Sequence, residues 1–480
     1  MIDAPGRRPL PWLQTSRRAH DMLNATATRP VAPAKSSLMR RFAALLRSAL
    51  VWDSLSYFGS KVVPGFMGLI SVPVFIRMIG LDQYGRFAVA VPILMAVGGA
   101  SSGWLAQGVL RFHPVAGDPR GREIAFDRAV KVGTSATVLV TSIGLALVLA
   151  GLHTSLLTSL VSLAFCFSFV MYTVTLAKFQ ARLQPVIVLR REIIRSVGSF
   201  VIPVALILIT GRKQFEFVLS GQAIAYSIAF LFRSRWLGHT GERGASIYDE
   251  GLPDAGTTSE TIRQLWRFGW AVGLWLLLSQ GLPVIDRWTI QRFASYSSAG
   301  VYASLYEVTI RSFSFLVFPL TQAAHPRIMR AWNEGEFATS YRIIRYSVQT
   351  QLIIFTAALG GVLLAAHRIT RLILGFDDPT AARMLPVLFV GGFLWQLALL
   401  VHKPLEIEQR TSAMLGAMAA VVVLNLVACF QFIPRFGYPA AGYILALSAC
   451  SYIAFTLCMT RFGAFRRFSP AAETQWDSCD

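Results

Sequence analysis

From residue 52 onward the chain alternates long apolar segments with short polar connections. A helix that crosses hydrocarbon needs about 20 mostly apolar residues. On that measure the pattern predicts spans near 53–79, 84–108, 130–152, 155–178, 186–210 and 215–236. A polar stretch follows (237–262), rich in Gly, Asp, Glu and Thr. Further spans are predicted near 264–290, 298–323, 346–368, 383–403, 411–433 and 438–460. The expectation is an all-α polytopic membrane protein: about 12 transmembrane helices in two pseudo-symmetric six-helix lobes around a central cavity. The N-lobe would cover 52–236, a cytoplasmic linker 237–262, and the C-lobe 263–462.

The flanks read differently. Residues 1–51 begin as a basic, Pro- and Ala-rich tail without an apolar run, which predicts disorder rather than a signal peptide. Within it, residues 38–50 set Arg40, Arg41 and Arg47 opposite an apolar stripe, the spacing of a helix lying on the membrane surface. Residues 463–480 read as a cytoplasmic tail. Arg190, Arg191, Glu192 and Arg195 interrupt the fifth apolar segment and are expected to form an interfacial turn ahead of it.

The two halves carry a repeat. FIRMIGLDQYGRFAVA (75–90) compares with WTIQRFASYSSAGVYASL (288–305): a helix end, a polar turn, then Gly–x–aromatic–Ala. Gly85 matches Gly300, Phe87 matches Tyr302, and Ala88 matches Ala303. Both copies later reach His-Pro beside basic residues: Arg111, His113 and Pro114 in one, His325, Pro326 and Arg327 in the other. Six spans per half give both copies the same topology, the arrangement of parallel repeats whose substrate site lies at the repeat interface.

Composition narrows the classes. The chain is 54% hydrophobic and 15% charged, against about 25% charged in soluble domains. Its formal net charge is +20. In a soluble protein that balance would point to nucleic acid, but no polar domain is present to build a groove for it. About three-quarters of the 45 Lys and Arg fall on one side of the alternating loops, predicting cytoplasmic termini. The five cysteines form no CxxC pair, so neither a disulfide framework nor a zinc site is expected.

Charges inside the apolar segments stand out, because insertion scales put each at roughly 2.5–3.5 kcal/mol. Asp286 and Arg287 lie near the outer end of the seventh span, where pairing at the interface is one reading and an outer gate or cation site the other. Glu307 and Arg311 lie within the eighth, four residues apart and so on one face. Lys61 lies inside the first span, where snorkelling to headgroups competes with a binding role. Asn425 in the eleventh reads as interhelical glue. Pro64, Pro73, Pro92, Pro203, Pro283 and Pro319 interrupt spans and are expected to bend them.

At these residues the chain resembles the polysaccharide-biosynthesis flippases (Wzx-type) of the multidrug/oligosaccharidyl-lipid/polysaccharide exporter superfamily. SYFGSKVVPGFMGLISVPVFIRMIGLDQYGRFAVA looks like their first hairpin, with Ile79, Gly80, Tyr84, Gly85, Phe87 and Ala88 at the pattern positions. DRWTIQRF, SSAGVYASLYEV and PLTQAAHPRIMRAWNEGEF are similar in the second half. IPRFGYPAAGYILALS resembles the opening of the last helix, with its glycine shifted to Gly442. The resemblance covers roughly 52–462.

It implies flipping of an undecaprenyl-diphosphate-linked oligosaccharide from the cytoplasmic to the periplasmic leaflet of a bacterial inner membrane, by alternating access and without enzymatic chemistry. Partners would be that lipid, membrane lipids, and the polymerase and chain-length proteins of the same pathway. No cofactor is expected, though coupling to a H+ or Na+ gradient is open. A diphosphate needs cations along its path. Arg311 is the first choice, with Lys61 at the cytoplasmic mouth. Gln107, Arg111, Gln280, Gln322 and His325 would add hydrogen bonds from the cavity walls to the diphosphate or glycan. Glu307, Asp286 and Arg287 are the candidates for coupling or gating.

A cation-coupled drug exporter or a lipid II flippase of the same superfamily is the alternative. A glycan polymerase or acyltransferase fits less well, since no loop gathers acid–base residues.

Overall fold

The computed structural model describes residues 49–113, 122–182, 184–232, 258–317, 335–407 and 410–460, with 320–321, 324, 327–328 and 331–332. Residues 1–48 of the expected tail and surface helix, and the C-terminal segment (461–480), lie outside the described residues, as does 237–257 of the expected linker; 49–51 belong to the first long helix. Among the described residues the chain is helical, with twelve helices of at least 17 residues. We label them α1 (Ala49–Ile79), α2 (Leu81–Phe112), α3 (Arg122–Gly151), α4 (Leu156–Ala181), α5 (Pro185–Thr210) and α6 (Phe215–Leu231). The second half holds α7 (Thr258–Phe293), α8 (Tyr296–Leu316), α9 (Phe337–Leu374), α10 (Pro379–Val401), α11 (Thr411–Phe436) and α12 (Ala440–Met459), with a short turn of helix at Lys403–Ile407.

Among the described residues, ten helices are long and apolar enough to cross a membrane; α6 and α8 are not in that set. α6 is apolar but has 17 residues. α8 carries Glu307 and Arg311 and ends at Leu316, short of the expected 323. The chain is thus a multi-pass, all-helical membrane protein.

The other helices mostly run past the predicted spans. Their amphipathic ends, such as the Arg342–Arg345 and His367–Arg371 turns of α9, continue the hydrogen-bonded ladder beyond the apolar window. The odd-numbered helices all turn into their successors through short connections at one end of the molecule, called here the hairpin end. Gly211 (φ 66°, ψ 0°) and Gly375 (φ 85°, ψ 0°) close α5 and α9 there. Their left-handed conformation returns the amide to the Ile207 and Arg371 carbonyls.

Helix pairing shows the repeat in space. In the first half α2 packs on α3 and α4, α3 on α4, and α6 on α4 and α5. In the second half the same pairs recur six helices later: α8 on α9 and α10, α9 on α10, and α12 on α10 and α11. The lobes meet where α2 lies along α7 and α8. Gly85 and Gly300, matched in the sequence repeat, face each other at the α2–α8 crossing. A Cβ on Gly300 would stand 3.2 Å from the Gly85 amide nitrogen, and one on Gly85 would overlap the Tyr296 carbonyl. Only glycine lets two helix backbones come this close.

Toward the opposite end, α2 and α7 interlock through Trp104 against Trp266 (5.2 Å between rings) and Phe112 against Phe268 (5.5 Å).

One local expectation fails. Arg190–Arg195 is no interfacial turn: α5 runs unbroken through it, and Arg191 and Glu192 are buried. Arg191 donates to the carbonyls of Ala229, Phe230 and Phe232 at 2.8–3.0 Å. These are the last-turn acceptors of α6, which have no partner within their own helix. Glu192 neutralises Arg195 at 2.7 Å. Charge here is retained inside the lobe because a helix end needs it.

Candidate functional site

The predicted charges of the second copy come together at the seam between the lobes. Arg287 on α7 donates to Glu307 on α8 (Nη2 to Oε1, 2.7 Å), and Arg311, one turn further along α8, reaches the other carboxylate oxygen (Nη2 to Oε2, 3.1 Å). One carboxylate thus holds two guanidinium groups, leaving the network with a formal charge of +1. The three differ in access. Arg287 is packed, with its side chain 3% exposed, whereas Glu307 is 27% and Arg311 35% exposed. Glu307 lies eleven residues into α8, about 17 Å of rise from the start of the helix.

Both arginines touch the opposite lobe. Arg311 lies against α1, where its guanidinium fills the space a Cβ on Gly68 would need. Arg287 donates through Nη1 to the Ala88 carbonyl of α2 at 3.1 Å. That carbonyl would ordinarily accept from the amide four residues on, but residue 92 is proline and has no N–H. An acceptor orphaned in one lobe is met by a cation from the other.

Asp286 and Arg287 do not form the interface pair considered from the sequence. Adjacent helical residues point in different directions, and Asp286 turns into the C-lobe, fully buried. There it accepts from Tyr302 Oη at 2.7 Å, Asn425 Nδ2 at 3.1 Å and Cys429 Sγ at 3.3 Å. Asn425 also donates to Ser448 Oγ at 3.2 Å. Asp286 therefore gathers α7, α8, α11 and α12 around one carboxylate.

The remaining candidates stand apart from this network. Arg111 lies over the Phe268 ring at 4.4 Å, on the α2–α7 seam. Lys61 and Gln280 are exposed, and Gln107 is half-buried. Gln322 and His325 fall outside the described residues. Sequence reasoning missed Tyr302, Cys429 and Ser448 as partners of Asp286, and Ala88 and Gly68 as contacts of the arginines. Pro92 was the available signal for Ala88, since a proline within a helix announces a free carbonyl one turn earlier.

At the hairpin end, Arg77 of α1 donates to the Leu372 carbonyl of α9 at 2.7 Å, and Arg86 of α2 lies over the Tyr296 ring of α8 at 4.5 Å. Tyr438 donates to Asp378 at 3.1 Å; burial, then the carboxylate, push its phenol above the ordinary range and keep it a donor.

No family model and no curated protein matches the sequence. Solved structures match the fold. "Lipid II flippase MurJ, inward closed conformation" aligns over 88% of this chain and 91% of its own, with TM-score 0.62 and 11% identity. An inward-facing multidrug resistance MATE family transporter of the MOP superfamily aligns over 88% and 96%, with TM-score 0.59 and 11% identity. An outward-facing MATE transporter aligns over 88% and 98%, with TM-score 0.58 and 14% identity. The chain has the two-lobed fold these transporters share.

Proposed function

We propose that this protein is a transporter of that superfamily which flips a lipid-linked oligosaccharide across the inner membrane by alternating access. The carrying observation is the Arg287–Glu307–Arg311 network: two cations on one carboxylate, between lobes, with Arg311 part-exposed. Such a site suits an anionic group. Arg311 meets Glu307 at Nη2, its side chain is 35% exposed, and a guanidinium offers five N–H donors. A diphosphate entering the seam would take the donors Glu307 does not hold. The glycan's hydroxyls need a polar path, since each one desolvated without a partner costs several kcal/mol. The undecaprenyl tail can stay in lipid.

In this reading both termini are cytoplasmic and the hairpin end faces outward. Asp286, ringed by donors, is the seat of any coupling to a H+ or Na+ gradient. The matching neighbours are named for lipid II and for drugs, so a cation-coupled exporter of small molecules, centred on Asp286, is the second reading.

Arg311→Ala should reduce glycan export in cells by about tenfold or more, as loss of one or two charge-assisted hydrogen bonds at roughly 1.5–3 kcal/mol each implies. Membrane content of the protein should stay unchanged. Normal export by this variant would overturn the assignment. Drug efflux lost in Asp286→Asn while glycan export continued would favour the second reading.

A further inference from the structure

The geometry points to a lock between the lobes: Arg287 held by the Ala88 carbonyl that Pro92 leaves free, released when an anion draws Arg311 away from Glu307. The inference rests on the alternating-access reading and names what binding would change. Pro92 is a positioning residue in it, with no contact to the transported molecule.

Three observations carry it. First, the Ala88 acceptor lacks the donor four residues on that a helix ordinarily gives it, because residue 92 is proline. A buried carbonyl in that position seeks a partner from outside, and Arg287 provides it at 3.1 Å. Second, Arg287 is a shared group. Its other arm is on Glu307 at 2.7 Å, and Glu307 also holds Arg311 at 3.1 Å. If a phosphate takes Arg311, Glu307 is left with one cation. Both carboxylate oxygens then become available to the Arg287 fork, and an end-on pairing through Nη1 and Nη2 is stronger than the present single bond. In that pairing Nη1 turns to Glu307 and gives up Ala88. Third, the contact crosses the lobes: Ala88 belongs to α2, whereas Arg287 and Glu307 belong to α7 and α8. Arg287 therefore cannot leave Ala88 without loosening the seam next to the Gly85–Gly300 crossing.

The second copy alone carries these charges. At the repeat register that matches Gly85 with Gly300, Glu307 falls opposite Pro92 and Arg311 opposite Ala96. The proline of the first lobe and the carboxylate of the second thus occupy equivalent places and serve one contact.

The test is pulsed electron paramagnetic resonance on the full chain in nanodiscs. Spin labels go on Ile209→Cys in the N-lobe and Phe436→Cys in the C-lobe, both exposed at the hairpin end. Cys450, Cys458 and Cys479 are replaced by Ser. Without substrate, the parent should give one distance. Pro92→Ala, which returns a donor to the Ala88 carbonyl, and Arg287→Lys, which keeps the charge but loses the fork, should each add a second, longer distance. Pro203→Ala removes a comparable proline from α5, away from the seam, and should match the parent. Size-exclusion profiles identify any variant that fails to fold; Arg287→Lys then stands in for Pro92→Ala, and the reverse. The lock is overturned if both folded variants superimpose on the parent, or if Pro203→Ala shifts the distance equally.

Undecaprenyl diphosphate added to the parent should reproduce the longer distance; Arg311→Ala, which leaves Glu307 with one cation from the start, should show that distance without substrate and should not change when it is added. A response to Pro92→Ala without one to undecaprenyl diphosphate keeps the lock and sinks the diphosphate assignment.

Discussion

At the scale of single residues, the informative asymmetry is between Arg287 and Arg311. Both pair with Glu307, yet one is sealed in protein and the other meets open space. Removing one partner of a buried pair leaves an uncompensated charge, at a cost of about 3–5 kcal/mol. Glu307→Gln should therefore lower the melting temperature of the purified protein through Arg287, not through Arg311. Replacing Arg287 and Glu307 together by Leu should recover only part of that loss, since the Ala88 carbonyl is then left without its donor, while Arg311→Ala should leave the melting temperature near the parent's. Equal destabilisation by Arg311→Ala and Glu307→Gln would contradict the assignment. The sequence made half of this visible. Glu307 and Arg311 are four residues apart on one helix, so their 3.1 Å contact follows from helical geometry. The Arg287 contact joins different helices, and no local spacing encodes that. Asp286 misled for the same reason: its neighbour in sequence is Arg287, but its partners come from α8 and α11.

Among the elements, glycines decide where helices approach, and what each glycine faces sets the outcome of filling it. Gly85 faces a backbone carbonyl that cannot swing aside. Gly85→Ala must push α2 and α8 apart, and overpacking of this kind costs about 1–3 kcal/mol. The melting temperature should fall, and the hairpin end should open. Gly68 faces the far end of Arg311, which can rotate away. Gly68→Ala should thus keep the fold and its melting temperature while reducing export, because the arginine is moved from its place. Gly281 has open space around the position of a Cβ, so Gly281→Ala should be silent in both assays. A melting temperature for Gly85→Ala at or above that of Gly281→Ala would disprove the crossing as drawn. The repeat made Gly85 and Gly300 noticeable as equivalents; that equivalents also meet follows from symmetry, since like positions touch at a twofold axis. The helix boundaries were less legible. Hydropathy reports the apolar window, whereas a helix ends where its hydrogen bonds do, and α9 runs well past the window at both ends. The α5 charges were misplaced because hydropathy has no term for the free carbonyls at the end of α6.

For the whole molecule, orientation is the property on which the proposed site depends, and charge rather than packing is what bears on it. Short connections gather at the hairpin end: Gly80 alone between α1 and α2, and Ala294 and Ser295 between α7 and α8. At the other end α1 begins and α12 ends. The stretches of sequence that adjoin it hold most of the Lys and Arg, and on that count we propose that this end faces the cytoplasm. The arrangement has a mechanical consequence. At the hairpin end the lobes are joined by two arginine contacts, Arg77 to the Leu372 carbonyl and Arg86 to the Tyr296 ring, beside the Gly85–Gly300 crossing. If that end faces outward, release of cargo must part these contacts, and delivery to Arg311 must come from the basic side. Fusions test this directly. A fluorescent protein joined after Asp480 should fold and fluoresce, and alkaline phosphatase joined there should be inactive. Phosphatase inserted between Gly375 and Asp378 should be active. The opposite pattern would place the hairpin end inside, so that Lys61, Arg111 and the +20 formal charge would no longer mark the entry for an anionic lipid headgroup.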